Sequence, residues 1–189
     1  TPQGGLISPI LANVYLHYVL DLWFEKCIKK QLYGEAYLVR FADDFLIMFQ
    51  YERDAQRVYE AIIKRMELFG LELSKEKTRI LPFGRYSATR ETFDFLGFTH
   101  FNSKTRKGYY TVGHKISRKK KKQFKSNLKK WVKKNRNTQF DEFMKTLNKK
   151  LTGSFNYYSL SGMIKEVRSL WIHSLYVTFK WMNRRSQRR

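Results

Sequence analysis

Two apolar runs, Ala36-Tyr37-Leu38-Val39-Arg40 and Phe45-Leu46-Ile47-Met48-Phe49, are rich in β-branched, aromatic and large aliphatic side chains and predict two short strands. Upstream, Ser8-Pro9 has the form of a helix start, with Ser as N-cap and Pro in the first turn, and predicts a helix to about Lys30. Leu11, Val14, Tyr18 and Leu22 form its expected apolar stripe, widened by Leu20, Trp23 and Cys27. After the strands, Ala55, Val58, Tyr59, Ile62, Met66 and Phe69 repeat at helical spacing from Glu52, and Gly70 supplies the stop. Leu71-Glu72-Leu73 alternates as a short strand. Thr92 to Phe98 reads as one further strand with a glycine inside it, the mark of a bulge or a close backbone approach. This order predicts an α+β layer, a small antiparallel sheet with helices on one face.

The pattern changes in the second half. Thr99 to His114 is mostly polar, with Tyr109-Tyr110-Thr111-Val112 as a candidate strand. Three amphipathic stretches come after it. The first, about Arg118–Lys134, carries Phe124, Leu128 and Trp131 on one stripe. The second has Thr138 as expected cap with Asp141 as its capping-box partner, an apolar face of Phe140, Phe143, Leu147 and Leu151, and Gly153 as its expected end. The third places Met163, Val167, Leu170, Ser174, Val177 and Trp181 at alternating four- and three-residue spacing. Joined by short links, they predict a three-helix bundle.

Charge sharpens this division. Residues 1–100 contain 13 Lys+Arg and 13 Asp+Glu, whereas residues 101–189 contain 25 and 3, so the whole net charge of +22 lies in the second half. A fold gains nothing from such self-repulsion, and a polyanionic partner explains it, nucleic acid being the usual one. Arg118-Lys119-Lys120-Lys121-Lys122 opens the densest stretch, with Lys125, Lys129, Lys130, Lys133 and Lys134 behind it and almost no acid to pair them. Phosphate-backbone binding without sequence readout is the expected role. Tyr157, Tyr158, Trp171, Tyr176 and Trp181 are the aromatics that could stack on bases, although core packing is the expectation for most. The 42% hydrophobic content excludes a disordered chain, and no apolar run approaches the roughly 18 residues of a membrane span. One cysteine, Cys27, excludes a disulfide framework or a Cys-based zinc site within the chain and fits a reducing, intracellular compartment.

Between the two central strands stand Phe41-Ala42-Asp43-Asp44. Asp-Asp is common in plain turns, because Asp bonds its own backbone. A tight Asp-Asp turn at the tip of a hairpin also makes an oxygen-rich ligand pair for a hard cation such as Mg²⁺, as two-metal phosphoryl transfer requires.

Taken together, these residues resemble the reverse transcriptases of group II introns, the intron maturases. Thr1-Pro2-Gln3-Gly4-Gly5-Leu6-Ile7-Ser8-Pro9 resembles the block ahead of that family's long palm helix. Phe41-Ala42-Asp43-Asp44 resembles its catalytic acidic hairpin, with Phe where Tyr is commonest. Leu73-Ser74-Lys75-Glu76-Lys77-Thr78 resembles the next block of the family, and Phe95-Leu96-Gly97-Phe98 the hairpin that grips the primer end. Gly153 to Tyr158 and Lys180 to Gln187 resemble segments of the maturase domain, also called domain X or thumb.

The resemblance implies the C-terminal part of a polymerase-type palm at residues 1–101 and a thumb or maturase domain at 102–189. It implies RNA-directed DNA synthesis, with intron RNA binding in splicing and mobility. Asp43 and Asp44 would be catalytic and metal-binding, with two Mg²⁺ ions (Mn²⁺ as alternative), and Lys77 catalytic at the leaving pyrophosphate. Pro2, Gln3, Gly4, Phe41 and Ala42 would border nucleotide and template, and Phe95, Leu96, Gly97 and Phe98 would hold the primer. Arg118, Lys119, Lys120, Lys121, Lys122, Lys125, Lys129, Arg184 and Arg185 would bind RNA or duplex. The implied partners are template or intron RNA, a DNA primer or target DNA, and deoxynucleoside triphosphates, in a cytoplasmic ribonucleoprotein of a bacterium. That family takes a third carboxylate from a strand ahead of the Pro-Gln-Gly block and holds the nucleotide with fingers; neither falls within these 189 residues, so the chain alone is expected to polymerise little or not at all. A non-catalytic RNA-binding maturase, and a reverse transcriptase recruited to a CRISPR or defence locus, are the competing expectations.

Overall fold

The computed structural model describes residue 5 and residues 7–74, 76–87 and 89–185. Helix α1 (Ser8–Leu16) runs on through two π-helical stretches, His17–Asp21 and Phe24–Ile28, and closes in a 3-10 turn at Lys29–Gln31. The Leu22 N–H reaches back to the His17 carbonyl and the Lys29 N–H to the Phe24 carbonyl, five residues each, which is the wider turn. Every such turn inserts an extra residue and rotates the later residues about the helix axis. The stripe expected at Leu11, Val14 and Tyr18 is therefore exposed, Tyr18 by 64%, while Val19, Leu20 and Phe24 are buried. Ser8 is the first helical residue rather than the cap, and its Oγ is buried without a partner.

Strands β1 (Ala36–Phe41) and β2 (Asp44–Phe49) pair antiparallel from Ala36 with Phe49 to Phe41 with Asp44. Helix α2 (Glu52–Leu68) comes next, with Ala55, Val58, Ile62 and Met66 buried as its spacing predicts. Phe24, Leu20, Ala36, Val58 and Met66 form one core, with Leu38, Phe45 and Ile47 of the hairpin against it. Each fully buried large aliphatic or aromatic side chain contributes about 1.5–3 kcal/mol. Asp54 is buried inside α2, and its Oδ2 accepts the Tyr33 and Gly34 N–H groups at 3.1 Å each, fixing the turn before β1. Leu71 and Leu73 pack on this core, but the segment forms no strand.

The chain divides into two compact units, residues 1–82 and 83–189, so the expected boundary after residue 101 falls inside a strand of the second unit. That unit opens with a three-stranded antiparallel sheet in the order β3 (Thr92–Phe95), β4 (Phe98–Lys104), β5 (Tyr110–Ile116). The single strand expected from Thr92 to Phe98 is thus a hairpin. Leu96 and Gly97 both take positive φ, +51° and +82°, the combination of a two-residue hairpin turn. The stretch expected to be mostly polar is two strands, paired antiparallel from Phe98 with Ile116 to Lys104 with Tyr110.

Three helices complete the unit: α3 (Arg118–Asn135), α4 (Phe140–Tyr158) and α5 (Ile164–Met182). Ser117 caps α3, its side chain accepting the Lys120 N–H. Gln139, not Thr138, precedes α4, and no side chain caps it. Gly153 lies inside α4, which continues to Tyr158. Leu128, Val132, Phe143, Leu147 and Val177 make one core among the three helices, and Phe98, Ile116, Tyr158, Met163 and Leu170 make a second where sheet meets helices. Met163, Leu170, Ser174 and Val177 are buried as the spacing predicts, while the other side of α5 exposes Trp171, Ile172, Leu175, Tyr176 and Phe179. The mixed helices and antiparallel sheets are the α+β class expected. None of the described helices is long and apolar enough to cross a membrane.

Candidate functional site

Cross-strand pairing closes the acidic hairpin one residue earlier than a plain Asp-Asp turn. Phe41 pairs with Asp44, so Ala42 and Asp43 are the turn and Asp44 opens β2. Ala42 takes φ +54°, a backbone position that strains any residue with a Cβ. Phe41, Ala42, Asp43 and Asp44 are all exposed. Among the described residues no side chain pairs with either carboxylate, so the oxygens are available to a ligand.

What holds the turn is Arg40, a residue that the apolar pattern of β1 does not single out. It sits at the last core-facing step of the strand. It donates from Nε to Asp21 Oδ1 at 2.8 Å and from Nη2 to Asp21 Oδ2 at 2.7 Å. Its Nη1 donates to Asn13 Oδ1 at 3.0 Å and to the Ala42 carbonyl at 2.9 Å. One guanidinium thus ties the strained turn to two turns of the long helix, with side chains only 13% (Arg40) and 25% (Asp21) exposed. The two-pronged hydrogen bond from Arg40 holds the Asp21 carboxyl below its usual range, and the pairing holds the Arg40 guanidinium above its own. Asp21 closes the first π-helical stretch, and the Arg65 Nε caps the Val19 carbonyl there at 3.1 Å. A charged residue inside an otherwise apolar strand, with an acid standing among the apolar residues Val19, Leu20, Leu22 and Trp23 of the helix, is the signal that could have found this pair.

Lys77 is exposed on a turn where the Lys77 and Thr78 N–H groups bond the Ser74 carbonyl. Among the described residues nothing joins it to Asp43 or Asp44. Pro2, Gln3 and Gly4 lie outside the described residues.

In the second unit the Phe95-Leu96-Gly97-Phe98 turn is pinned from two sides. Tyr157 Oη donates to the Leu96 carbonyl at 2.7 Å, and the Ser117 N–H donates to the Gly97 carbonyl at 3.0 Å. Phe98 is buried, stacked on Tyr157 at 5.5 Å and edge-on to Tyr158 at 5.6 Å. The methylenes of Lys120 lie over Gly97, where a Cβ would sit 3.4 Å from Lys120 Cγ.

The basic residues sort into free and engaged. Arg118, Lys119, Lys120, Lys122 and Lys129 are exposed. Lys121 pairs with Glu166 at 3.1 Å. Arg185 donates to the Arg136 and Thr138 carbonyls, bracing the α3–α4 link, and Arg184 lies over the Trp181 ring at 5.2 Å. Lys125 is half-buried beside His173. Of the aromatics, Tyr158 is buried, whereas Tyr157, Trp171 and Tyr176 are exposed.

As a donor set for a cation, Asp43 and Asp44 are two free carboxylates, and among the described residues no third His, Cys, Asp or Glu completes a cage. Such a pair suits a hard dication that fills its remaining positions with water and substrate phosphates. Residues 1–100, just over half of the 189, match a family model described as reverse transcriptase (RNA-dependent DNA polymerase). A search of curated proteins found no match.

Proposed function

Because the chain belongs to the reverse transcriptase (RNA-dependent DNA polymerase) family, we propose that it carries the acidic hairpin and the nucleic-acid-holding helices of a group II intron-encoded enzyme. A nucleic-acid template and nucleotide substrates are the family's general partners. The finer reading is ours: intron RNA as template and splicing partner, a DNA primer or target DNA, and residence in a cytoplasmic ribonucleoprotein. The observation that supports it most is the free carboxylate pair on a turn that Arg40 clamps to the helix.

Two dications, Mg²⁺ with Mn²⁺ as alternative, would supply charge neutralisation at the primer 3′-hydroxyl and the pyrophosphate. Asp43 and Asp44 would hold them, their exposed carboxylates supplying hard oxygen ligands. Phe41 and Ala42, with Pro2, Gln3 and Gly4, border nucleotide and template. Lys77 neutralises the departing pyrophosphate. Phe95 to Phe98 seat the primer end, on a turn already fixed by Tyr157 and Ser117. Arg118, Lys119, Lys120, Lys122 and Lys129 hold phosphates of the duplex; Lys121, Lys125, Arg184 and Arg185 do so in second place, since each is already engaged or half-buried. Residues 1–101 read as palm and 102–189 as thumb. Catalysis on this plan is positioning and charge neutralisation.

The test is primer extension on an RNA template with Mg²⁺, by the 189 residues joined to the strand and fingers that the resemblance expects ahead of them. Extension by the native protein and none by Asp43→Ala is the expected result. If both bind RNA tightly and neither extends, the polymerase reading falls and an RNA-binding maturase takes its place, a reading that the basic face of α3 favours. Extension by the 189 residues alone contradicts the need for a third carboxylate.

A further inference from the structure

His100 and His114 stand directly opposite each other on β4 and β5, and their Nδ1 atoms are 3.0 Å apart. The rings meet edge to face, 5.0 Å between centroids. His100 is held in place. It stacks on Phe93 at 4.8 Å, and Phe93 in turn takes the edge of Phe83 at 5.0 Å.

The spacing suits one shared ion. Two nitrogens 3.0 Å apart, each about 2.1 Å from a common cation, subtend about 90° at it. Only one proton fits between the two nitrogens, so one imidazole already presents a lone pair. The other presents one when its proton moves to Nε2, with no net proton gained or lost. We propose that His100 and His114 form a two-histidine site for a transition-metal dication of the Zn²⁺, Ni²⁺ or Cu²⁺ class, clipping β4 to β5.

Among the described residues no third protein ligand joins them, so water completes the shell and the site is of modest affinity. Imidazole nitrogen selects these metals, whereas the carboxylates of the acidic hairpin select hard, oxygen-seeking ions. The chain thereby carries two sites that sort cations by chemistry. The second fastens the sheet whose β3–β4 turn is Phe95 to Phe98, and it stands independently of the polymerase reading.

The experiment titrates the full chain with Zn²⁺ in excess Mg²⁺, following heat of binding and thermal midpoint. One equivalent bound and a raised midpoint are expected. His100→Gln and His114→Gln, checked for folding by circular dichroism, each lose more than about tenfold in affinity. His17→Gln and His173→Gln, which change the other two histidines, bind as the native chain does. A folded pair variant with native affinity overturns the proposal, as does the absence of a saturable site. A second measurement needs no change to the pair. In the His17→Gln/His173→Gln chain, electron paramagnetic resonance of bound Cu²⁺ shows two nitrogen ligands if the site exists, and one or none if it does not.

Discussion

Arg40 grips Asp21 with two hydrogen bonds, 2.8 and 2.7 Å, while a third nitrogen of the same guanidinium holds the carbonyl of Ala42, the strained turn residue beside the acidic pair. The geometry is that of a planar fork, which a lysine cannot reproduce. Arg40→Gln is expected to cost about 1.5 kcal/mol, because the partly covered Asp21 carboxylate then lacks its partner. Arg40→Lys is expected to recover less than half of that. Urea denaturation measures both, and a midpoint unchanged in Arg40→Gln contradicts the clamp.

Gly97 is the second place where backbone conformation dictates the residue. At φ +82° a Cβ is strained, although the Lys120 stem would lie only at van der Waals distance from it. Gly97→Ala is expected to destabilise the second unit by about 1–2 kcal/mol. The same change at Gly153, inside α4 with open space around it, is expected to stabilise by up to about 1 kcal/mol. Opposite signs for two Gly→Ala changes, read in one denaturation series, check the backbone account.

Much of this fold is legible in the sequence. The runs on either side of Asp43-Asp44, the α2 stripe ending at Gly70 and the Met163-to-Val177 stripe all lie where periodicity puts them, because in each the apolar spacing and the local stop signals agree. Three features are not legible. The π-helical stretches turn the long helix so that Val19 and Phe24 replace Val14 and Tyr18 in the core, and no residue type announces a π turn. Leu96 sits at positive φ, a position for which leucine gives no signal, so the apolar pattern reads the hairpin as one strand and only the resemblance at Phe95 to Phe98 marks a hairpin there. The Arg40–Asp21 pair spans 19 residues and exists only once helix and hairpin have packed. The placement of the nucleic-acid residues is legible as charge, but which lysines are free is not, since Glu166 lies 45 residues from Lys121.

Acid titrates two sets of groups in opposite corners of the pH range. His100 is held below its ordinary 6.5 by burial and His114, with Asp94 opposing, and His173 is held below it by burial and Lys125. A base with a depressed folded pKa is protonated more readily when unfolded, so its contribution is fully present above about pH 6.5 and declines as pH falls below that. Asp21, depressed chiefly by its hydrogen bonds with Arg40, contributes above about pH 3.9 and loses that as pH falls further. Thermal midpoints are expected to fall from pH 7.5 to 5.5, less steeply in His100→Gln, and to fall again below pH 4, less steeply in Asp21→Asn.

Salt separates free from engaged cations. Lys119→Ala/Lys122→Ala removes two exposed charges and is expected to weaken duplex binding alike for every sequence, lowering the slope of log affinity against log salt by about two. Lys121→Ala, whose ammonium already faces Glu166, is expected to change that slope by much less than one. Equal effects for all three lysines contradict the sorting.

The exposed apolar side of α5, with Trp171, Ile172, Leu175, Tyr176 and Phe179, shares a chain with a net charge of +22. In dilute buffer, like-charge repulsion keeps molecules apart and that face never meets a second one. Concentrated salt, the usual means of stripping nucleic acid from a basic protein, shortens the range of repulsion to about 3 Å at 1 M and strengthens apolar association. The colloidal behaviour is therefore inverted with respect to purity: the cleaner the preparation is made by salt, the more readily it precipitates, and a bound polyanion acts as its solubiliser.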